Sequence, residues 1–351
     1  MKTKKYLIKW MAVMVSVASV LTMPAYGADT KPILKVEDAI KSAISYSNQI
    51  SINSSNNNAL KEQLKFNDST TYYQYQSIYL QKAQNEQQRE MIEDQIANDI
   101  VDQYNTMIIM GKEISVISKN IDIASKELRQ MALQNKKGLI NPVTYQSKEV
   151  EITNLKNSKV AKDEELKNAQ LYFRIITGKD MTKYTLDDQI GFEPFRIAGL
   201  VEGYISSKVS LYLQYDKELA DLRQDNILME GAPAPTYASY LAEKSSATTA
   251  LLTLEDKERN LKQTLISNYS TLLNLEEQIT NQKSELSVLD KKLKSAELHY
   301  KAGLLSVLAY DKELTAQKEA ELQMMKLVSR YNSLKESIQK PWVLSAGNTS
   351  A

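Results

Sequence analysis

The sequence predicts an all-α protein built from two tandem repeats of long antiparallel coiled-coil helical hairpins, and three observations support this prediction. Glycine and proline are scarce, with 10 and 7 among 351 residues, so long stretches contain no helix breaker. Apolar residues recur at alternating spacings of three and four along residues 114–131, which is typical of a coiled-coil seam. The second half of the chain also repeats the first half in a constant register.

Residues 1–27 have the composition of a secretory signal peptide. Four lysines accompany an apolar run at residues 10–23, and Pro24 is followed by small residues at Ala25 and Gly27. The apolar run is shorter than the ~20 residues that span a bilayer, which favours cleavage after Gly27 over retention as a membrane anchor. We therefore expect an exported protein of the cell envelope, located in the wall zone, in the periplasm or in association with an outer membrane.

Composition argues against several classes of function. Cleavage after Gly27 changes the net charge from +1 to −3, because four lysines are lost, and no block of like charge marks a nucleic-acid-binding surface. No later stretch of 18 apolar residues predicts a membrane span in the mature chain. There is no cysteine, and His299 is the single histidine, so we expect no disulfide and no metal site. Glycine motifs for phosphate, dinucleotide or nucleophile-elbow chemistry are absent, so we expect no enzymatic activity and no cofactor.

The internal repeat keeps one register over most of the chain. The offset that aligns Tyr104 with Tyr269 also aligns Gly138 with Gly303, and the apolar positions between them coincide as well. This unbroken register indicates a duplication rather than chance similarity between helical stretches. The predicted divisions are a first helical repeat at residues 28–177, an inter-repeat segment at 178–200, a second helical repeat at 201–341 and a disordered tail at 342–351.

Each repeat is predicted to contain one long helix between two shorter ones. In the first repeat, residues 72–136 contain one glycine and no proline, which predicts a helix of about 95 Å at ~1.5 Å per residue. A helix of that length needs partner helices along its sides. Shorter helices at about residues 36–66 and 142–176 supply them, since each covers about half of the long helix. Gly138 suits the left-handed position that ends the long helix.

The two turns that follow the long helices carry the most specific local pattern. Gly138 and Gly303 are each followed by a leucine, and a new helix is predicted to start a few residues later. The order of short helix, long helix, glycine turn and short helix, duplicated behind a signal peptide, resembles the TolC family of outer membrane efflux proteins. The resemblance covers about residues 33–342.

This resemblance implies a TolC-like α-barrel protomer. It implies a homo-trimer that encloses a conduit, with turn tips that dock a membrane-fusion adaptor protein (a periplasmic adaptor) bound to an inner-membrane exporter. The docking residues implied are Lys137, Gly138, Leu139, Ala302, Gly303, Leu304, Leu305 and Ser306. The alternative is that the glycines only terminate their helices. A second group of candidates lies at the start of the long helices, as either an interface or ordinary coiled-coil packing: Tyr72, Tyr75, Tyr237 and Tyr240.

The sequence departs from the family pattern just before each long helix. Family members with a membrane channel have two strands there, and each transmembrane strand needs ~9–11 residues. Only residues 67–71 and 230–236 are available, and Pro233 and Pro235 do not suit a central strand. We therefore predict a member that lacks the β-barrel strands. Its function is either that of a conduit component in an envelope export or efflux system, or that of a coiled-coil structural or interaction protein with no role in transport.

Overall fold

A computed structural model describes residues 31–66, 71–228 and 236–344 of the chain. Within these ranges the chain forms seven α-helices, two short 3-10 helices and two strands of two residues each. The α-helices are α1 (Val36–Tyr46), α2 (Asn48–Lys65), α3 (Tyr72–Lys136), α4 (Pro142–Thr177), α5 (Val201–Leu228), α6 (Tyr237–Lys301) and α7 (Val307–Gln339). The strands are β1 (Ile33–Leu34) and β2 (Thr185–Leu186), and the 3-10 helices are Met181–Lys183 and Pro341–Val343. The predicted all-α class with two hairpin repeats is confirmed.

The long helices α3 and α6 have 65 residues each, which corresponds to about 97 Å at 1.5 Å per residue. The α3 helix begins at a capping box, in which the Thr71 side chain accepts from the backbone of Gln74 and the Gln74 side chain accepts from the backbone of Thr71. The α6 helix begins in a similar way, since the Thr236 side chain accepts from the backbone N–H of Ser239. Threonine caps therefore fix the start of both long helices.

The prediction of one continuous helix at residues 36–66 was wrong in one respect, because the chain breaks at Ser47. This residue is extended, with φ −72° and ψ 119°, and its hydroxyl accepts a hydrogen bond from the backbone N–H of Ile50 at 3.4 Å. A serine side chain can satisfy a free helix N–H in this way, so it ends α1 and starts α2.

The helices form a wall that is four helices wide in each half. In one half α3 packs between α4 and α7, and α7 packs against α6. In the other half α3 packs between α2 and α5, and α5 packs against α6. The long helix α3 is therefore covered on two sides along its whole length. The other long helix, α6, lies at one edge of the wall, and α2 and α4 lie at the opposite edge.

The main apolar clusters lie near the middle of the long helices, where the inter-repeat segment crosses them. Tyr104 on α3 and Phe173 on α4 are buried in the first cluster, together with Met181 of the inter-repeat segment. Tyr331 on α7 is buried in the second cluster, and Phe192 and Phe195 of the inter-repeat segment pack on it. β1 pairs in parallel with β2 beside the first cluster. The segment that joins the repeats therefore also binds them together.

The tail predicted to be disordered from residue 342 onward is ordered at its start. Trp342 and Val343 are buried in a small cluster with Met91 of α3. The indole N–H of Trp342 donates to the Asp94 carboxylate at 3.1 Å, and the Gln95 amide donates to the carbonyl of Trp342 at 2.7 Å. Trp342 therefore packs on an apolar site of the first repeat. The sequence around Trp342 does not reveal this long-range contact.

Three predictions concern residues outside the described ranges. The signal peptide at 1–27 and the last residues of the tail, 345–351, are two of them. The third is the interpretation of the connectors as too short for membrane strands, since residues 67–70 and 229–235 are not described. In the parts of the chain that are described, no helix has an apolar stretch that is long enough to cross a membrane.

Candidate functional site: helix tips and wall edges

The first predicted tip is a short turn that joins α3 to α4. Gly138 has a φ of +70°, a left-handed conformation that suits glycine, and its added Cβ would meet no atom within 4 Å. The backbone N–H of Leu139 donates to the carbonyl of Gln134 at 2.9 Å, which closes the end of the long helix. The Asn141 side chain then caps α4 by accepting from the Val143 N–H at 2.9 Å. Leu139 is left 70% exposed at the apex.

The second tip repeats this geometry between α6 and α7. Gly303 has a φ of +72°, and the N–H of Leu304 donates to the carbonyl of His299 at 2.8 Å. The Ser306 hydroxyl caps α7 by accepting from the Ala309 N–H at 3.2 Å. Leu304 is 75% exposed. Each tip therefore exposes one leucine side chain to solvent, next to a glycine that has open space around it.

The two tips lie at the same end of the wall. Lys126, near the end of α3, forms an ion pair with Asp311, near the start of α7, at 2.6 Å. Tyr300 and Tyr310 stack beside the second tip, with ring centroids 5.1 Å apart. The structure thus brings the predicted tip residues of both repeats to one end. His299 lies at the end of α6 and is exposed. No cluster of three metal-ligating His, Cys, Asp or Glu side chains occurs among the described residues.

Two carboxylates that the sequence analysis missed connect three helices in the half of the wall that carries the tips. Glu127 on α3 lies 2.5 Å from Lys148 on α4 and 2.5 Å from Lys312 on α7. Glu113, also on α3, lies 3.6 Å from Lys162 on α4 and 2.5 Å from Lys326 on α7.

The two neighbouring lysines stabilise the ionised form of the Glu127 carboxyl. Hydrogen bonds from the Lys148 ammonium and, second, from the Lys312 ammonium lower the pKa of the Glu127 carboxyl below its usual value. The carboxylate therefore stays ionised at neutral pH and attracts both neighbouring helices. The two glutamates act as clamps that hold α4 and α7 against α3.

The predicted tyrosines lie at the opposite end of the wall, where α3 and α6 begin. Tyr72 and Tyr237 are 70% and 76% exposed. Tyr237 stacks with Tyr240, with ring centroids 6.2 Å apart. Tyr75 is only at the margin of exposure, at 36%. The structure therefore brings two of the four together and leaves the others on the first turns of α3.

A groove of about 590 Å³ runs between α3, α6 and α7 near the middle of the wall. Asp102 lines it together with Ser333 and Arg330. Burial raises the pKa of the Asp102 carboxyl, and the hydrogen bond from the Ser333 hydroxyl at 3.2 Å partly offsets this effect. The groove is open, Asp102 is half-buried in it, and the described residues that line it include no metal-ligating cluster.

No protein-family model matches this sequence, and no curated protein sequence matches it. Similar folds occur among solved structures. A structure of CusC, which concerns conformational changes accompanying folding and transmembrane channel formation, has a TM-score of 0.62 at 10% identity, over 92% of this chain and 98% of that chain. The CmeC outer membrane channel of Campylobacter jejuni has a TM-score of 0.58 at 10% identity, over 88% of this chain and 85% of its own.

The open state of the MtrE outer membrane channel of Neisseria gonorrhoeae is a further match. Its TM-score is 0.59 at 9% identity, and the match covers 94% of this chain and 96% of that chain. At such low identity the likeness concerns the fold, and it spans nearly the whole of each chain. The comparisons therefore show that this protein has a TolC-like fold.

Proposed function

We propose that this protein is a TolC-like component of an envelope export or efflux system. Several copies close side by side into a helical conduit, and the tips dock a membrane-fusion adaptor protein that is bound to an inner-membrane exporter. The observation that carries the proposal is the wall with two open edges, in a chain with a TolC-like fold.

The edges of the wall support assembly. Large apolar side chains are exposed along α6, among them Val288 at 52% and Leu252 at 56%. At the opposite edge Val150 and Val160 of α4 are 59% and 58% exposed. Exposed apolar side chains on opposite edges favour contact between copies, and a head-to-tail contact gives a ring when the rotation from one copy to the next closes. A ring of three copies is the arrangement that the resemblance implies.

The tips support adaptor docking. Leu139 and Leu304 are the two most exposed apolar side chains of this end, at 70% and 75%. Gly138 and Gly303 leave room for a partner backbone, because a Cβ at either position would meet no atom within 4 Å. Lys137 adds positive charge beside the first tip, and Lys301, which pairs with Glu297 at 2.7 Å, lies beside the second. A helical hairpin with apolar and acidic side chains at its own turn fits this surface.

The first experiment measures the mass of the purified chain by light scattering after gel filtration, without detergent. A stable trimer is expected, and electron microscopy should show a ring with a central opening. A monomer over a wide concentration range would instead favour the structural coiled-coil protein with no role in transport.

A second experiment tests docking with the membrane-fusion protein encoded nearest to this chain. The double variant Leu139→Asp with Leu304→Asp should lose binding in a pull-down while keeping the trimer mass. Leu200→Asp is the matched control, because Leu200 is 84% exposed and lies in the inter-repeat segment, far from the tips along the chain. Unchanged binding by the tip variant would contradict the docking proposal.

A further inference from the structure

Within one chain, the two repeats meet through a seam between α3 and α7 in the half that carries the tips. The Asn120 amide donates to the Glu319 carboxylate at 2.9 Å. Around this contact, ion pairs link Lys126 to Asp311, Glu127 to Lys312 and Glu113 to Lys326. These contacts fix which residue of α3 lies opposite which residue of α7. We call this contact the internal seam.

Because the chain is duplicated, each residue of the internal seam has an equivalent residue at a free edge of the wall. The offset that takes Tyr104 to Tyr269 takes α3 positions to α6 positions, and its reverse takes α7 positions to α4 positions. At the centre of the internal seam Ile123 and Thr315 are buried, with 8% and 4% exposure. Their counterparts are Val288 on α6 and Val150 on α4, which are 52% and 59% exposed.

The same difference holds at two other buried positions, Val116 on α3 and Leu322 on α7, which are 7% and 9% exposed. The charged α7 residues of the internal seam, Lys312, Glu319 and Lys326, are themselves exposed. On α6, the counterparts of the α3 seam positions are all exposed: Gln278, Asn281, Glu285, Val288 and Lys292. On α4, the counterparts of the α7 seam positions are also all exposed: Gln146, Ser147, Val150, Asn154, Asn157 and Ala161. The positions of these two faces that are buried inside the chain therefore have exposed counterparts at its edges.

We propose that these two faces cover each other between neighbouring copies of the chain, in the register of the internal seam, with Val288 of one copy opposite Val150 of the next. The proposal rests on the proposed assembly and adds its residue-level contact. Transfer of the Asn120–Glu319 contact gives Glu285 opposite Asn154, which again pairs a carboxylate with an amide, with the two roles exchanged. This chemical match is independent of the exposure of the valines.

The seam between copies differs from the internal seam in charge. The three ion pairs of the internal seam have no charged counterpart on both sides of the seam between copies. Transfer of these pairs places Lys291 opposite Gln146, Lys292 opposite Ser147 and Gln278 opposite Ala161. Salt screens exposed ion pairs, and the seam between copies reproduces none of these three, so salt should weaken the internal seam more than the seam between copies.

Engineered cysteines test the register, since the chain has no cysteine of its own. A Val150→Cys chain and a Val288→Cys chain are mixed, allowed to exchange subunits and oxidised under mild conditions. A disulfide needs Cα atoms about 4.4–6.8 Å apart, so the reaction reports register closely. The matched control replaces Val150→Cys by Val160→Cys, which is equally exposed but about 15 Å away along α4.

Covalent dimer is expected only from the mixture of the two seam variants, and a chain that carries both cysteines should give species up to the full ring. The pair Asn154→Cys with Glu285→Cys should behave in the same way, which covers the case that the valine variants fold poorly. Self-linked dimers of either single variant would show a symmetric contact and overturn the proposal. A trimer by light scattering that links through Val160→Cys, or through neither pair, would overturn the register alone. A monomer would overturn the assembly as well.

Discussion

Replacing Tyr104 by phenylalanine should destabilise the protein more than the same change at Tyr269, its counterpart in the second repeat. The Tyr104 hydroxyl donates to the Leu34 carbonyl at 2.6 Å and accepts from the Asp187 N–H at 2.7 Å. It therefore connects β1 to the inter-repeat segment. The Tyr269 hydroxyl accepts from the Ile197 N–H at a longer 3.3 Å.

The size of the difference follows from the number of hydrogen bonds lost. A hydrogen bond contributes about 0.5–1.5 kcal/mol, and a buried group left without a partner costs about 1–3 kcal/mol. Tyr104 is 3% exposed, so its loss leaves two backbone groups without partners, and we expect about 2–3 kcal/mol. For Tyr269 we expect about 0.5–1 kcal/mol, because a single long hydrogen bond is lost. The rings stay in place, so packing changes little in either variant.

Urea titrations at one fixed protein concentration measure both variants, because the proposed assembly would make stability depend on concentration. The midpoint should fall further for Tyr104→Phe, with an unchanged slope. Hydrogen exchange gives a local readout, since the Asp187 amide should lose protection in the Tyr104 variant alone. Equal midpoints, or a larger loss for Tyr269→Phe, would refute the reasoning.

Three further predictions concern single sites. Trp342→Ala should cost about 3 kcal/mol or more, because a buried indole and its hydrogen bond are lost, and denaturant midpoints will measure this. Gly178→Ala should lower the thermal midpoint more than Gly138→Ala: both have positive φ, but a Cβ at Gly178 would lie 2.8 Å from a tyrosine ring of α1. Asp102→Asn and Glu127→Gln should change the pH dependence of stability in opposite ways. Burial raises the pKa of Asp102, so its contribution to the free energy of unfolding is present below pH 3.8 and is lost as pH rises through the folded pKa. Ion pairing lowers the pKa of Glu127, so its contribution to the free energy of unfolding is present above pH 4.5 and is lost as pH falls through the folded pKa. Denaturant midpoints between acidic and neutral pH will show whether each variant flattens its own part of the profile.

Local signals in the sequence predicted most helix boundaries because the physics at those places is local. A threonine cap, a glycine with positive φ and the absence of breakers between them set the ends of α3 within the chain itself. The break at Ser47 was missed because serine is common inside helices, and only its cap geometry shows that the chain turns there. The position of Trp342 depends on a surface of the other repeat, which local sequence does not contain.

The clamping glutamates were missed because acidic and basic residues on long helices usually indicate a solvated face. A signal was nevertheless present. Glu113 and Glu127 lie two heptads apart, and the same spacing separates two lysines of α4 and two lysines of α7: Lys148, Lys162, Lys312 and Lys326. Side chains that are two heptads apart return to the same face of a coiled-coil helix. Three helices with matched pairs at this spacing predict a shared ionic register.

The ion pairs of the internal seam also favour one pairing of helices over another. Suppose that α6 of one copy took the place of α3 beside α7 of another copy. Lys292 would then lie opposite Lys312, where Glu127 lies in the native contact, and Glu285 would lie opposite Glu319. These two pairs of like charge would repel, and only Lys291 opposite Asp311 would attract. Contact between the free faces of α6 and α4 meets no such conflict. Charge at the internal seam therefore disfavours this exchange of helices between copies, and it leaves the free faces of α6 and α4 for the proposed contact between copies.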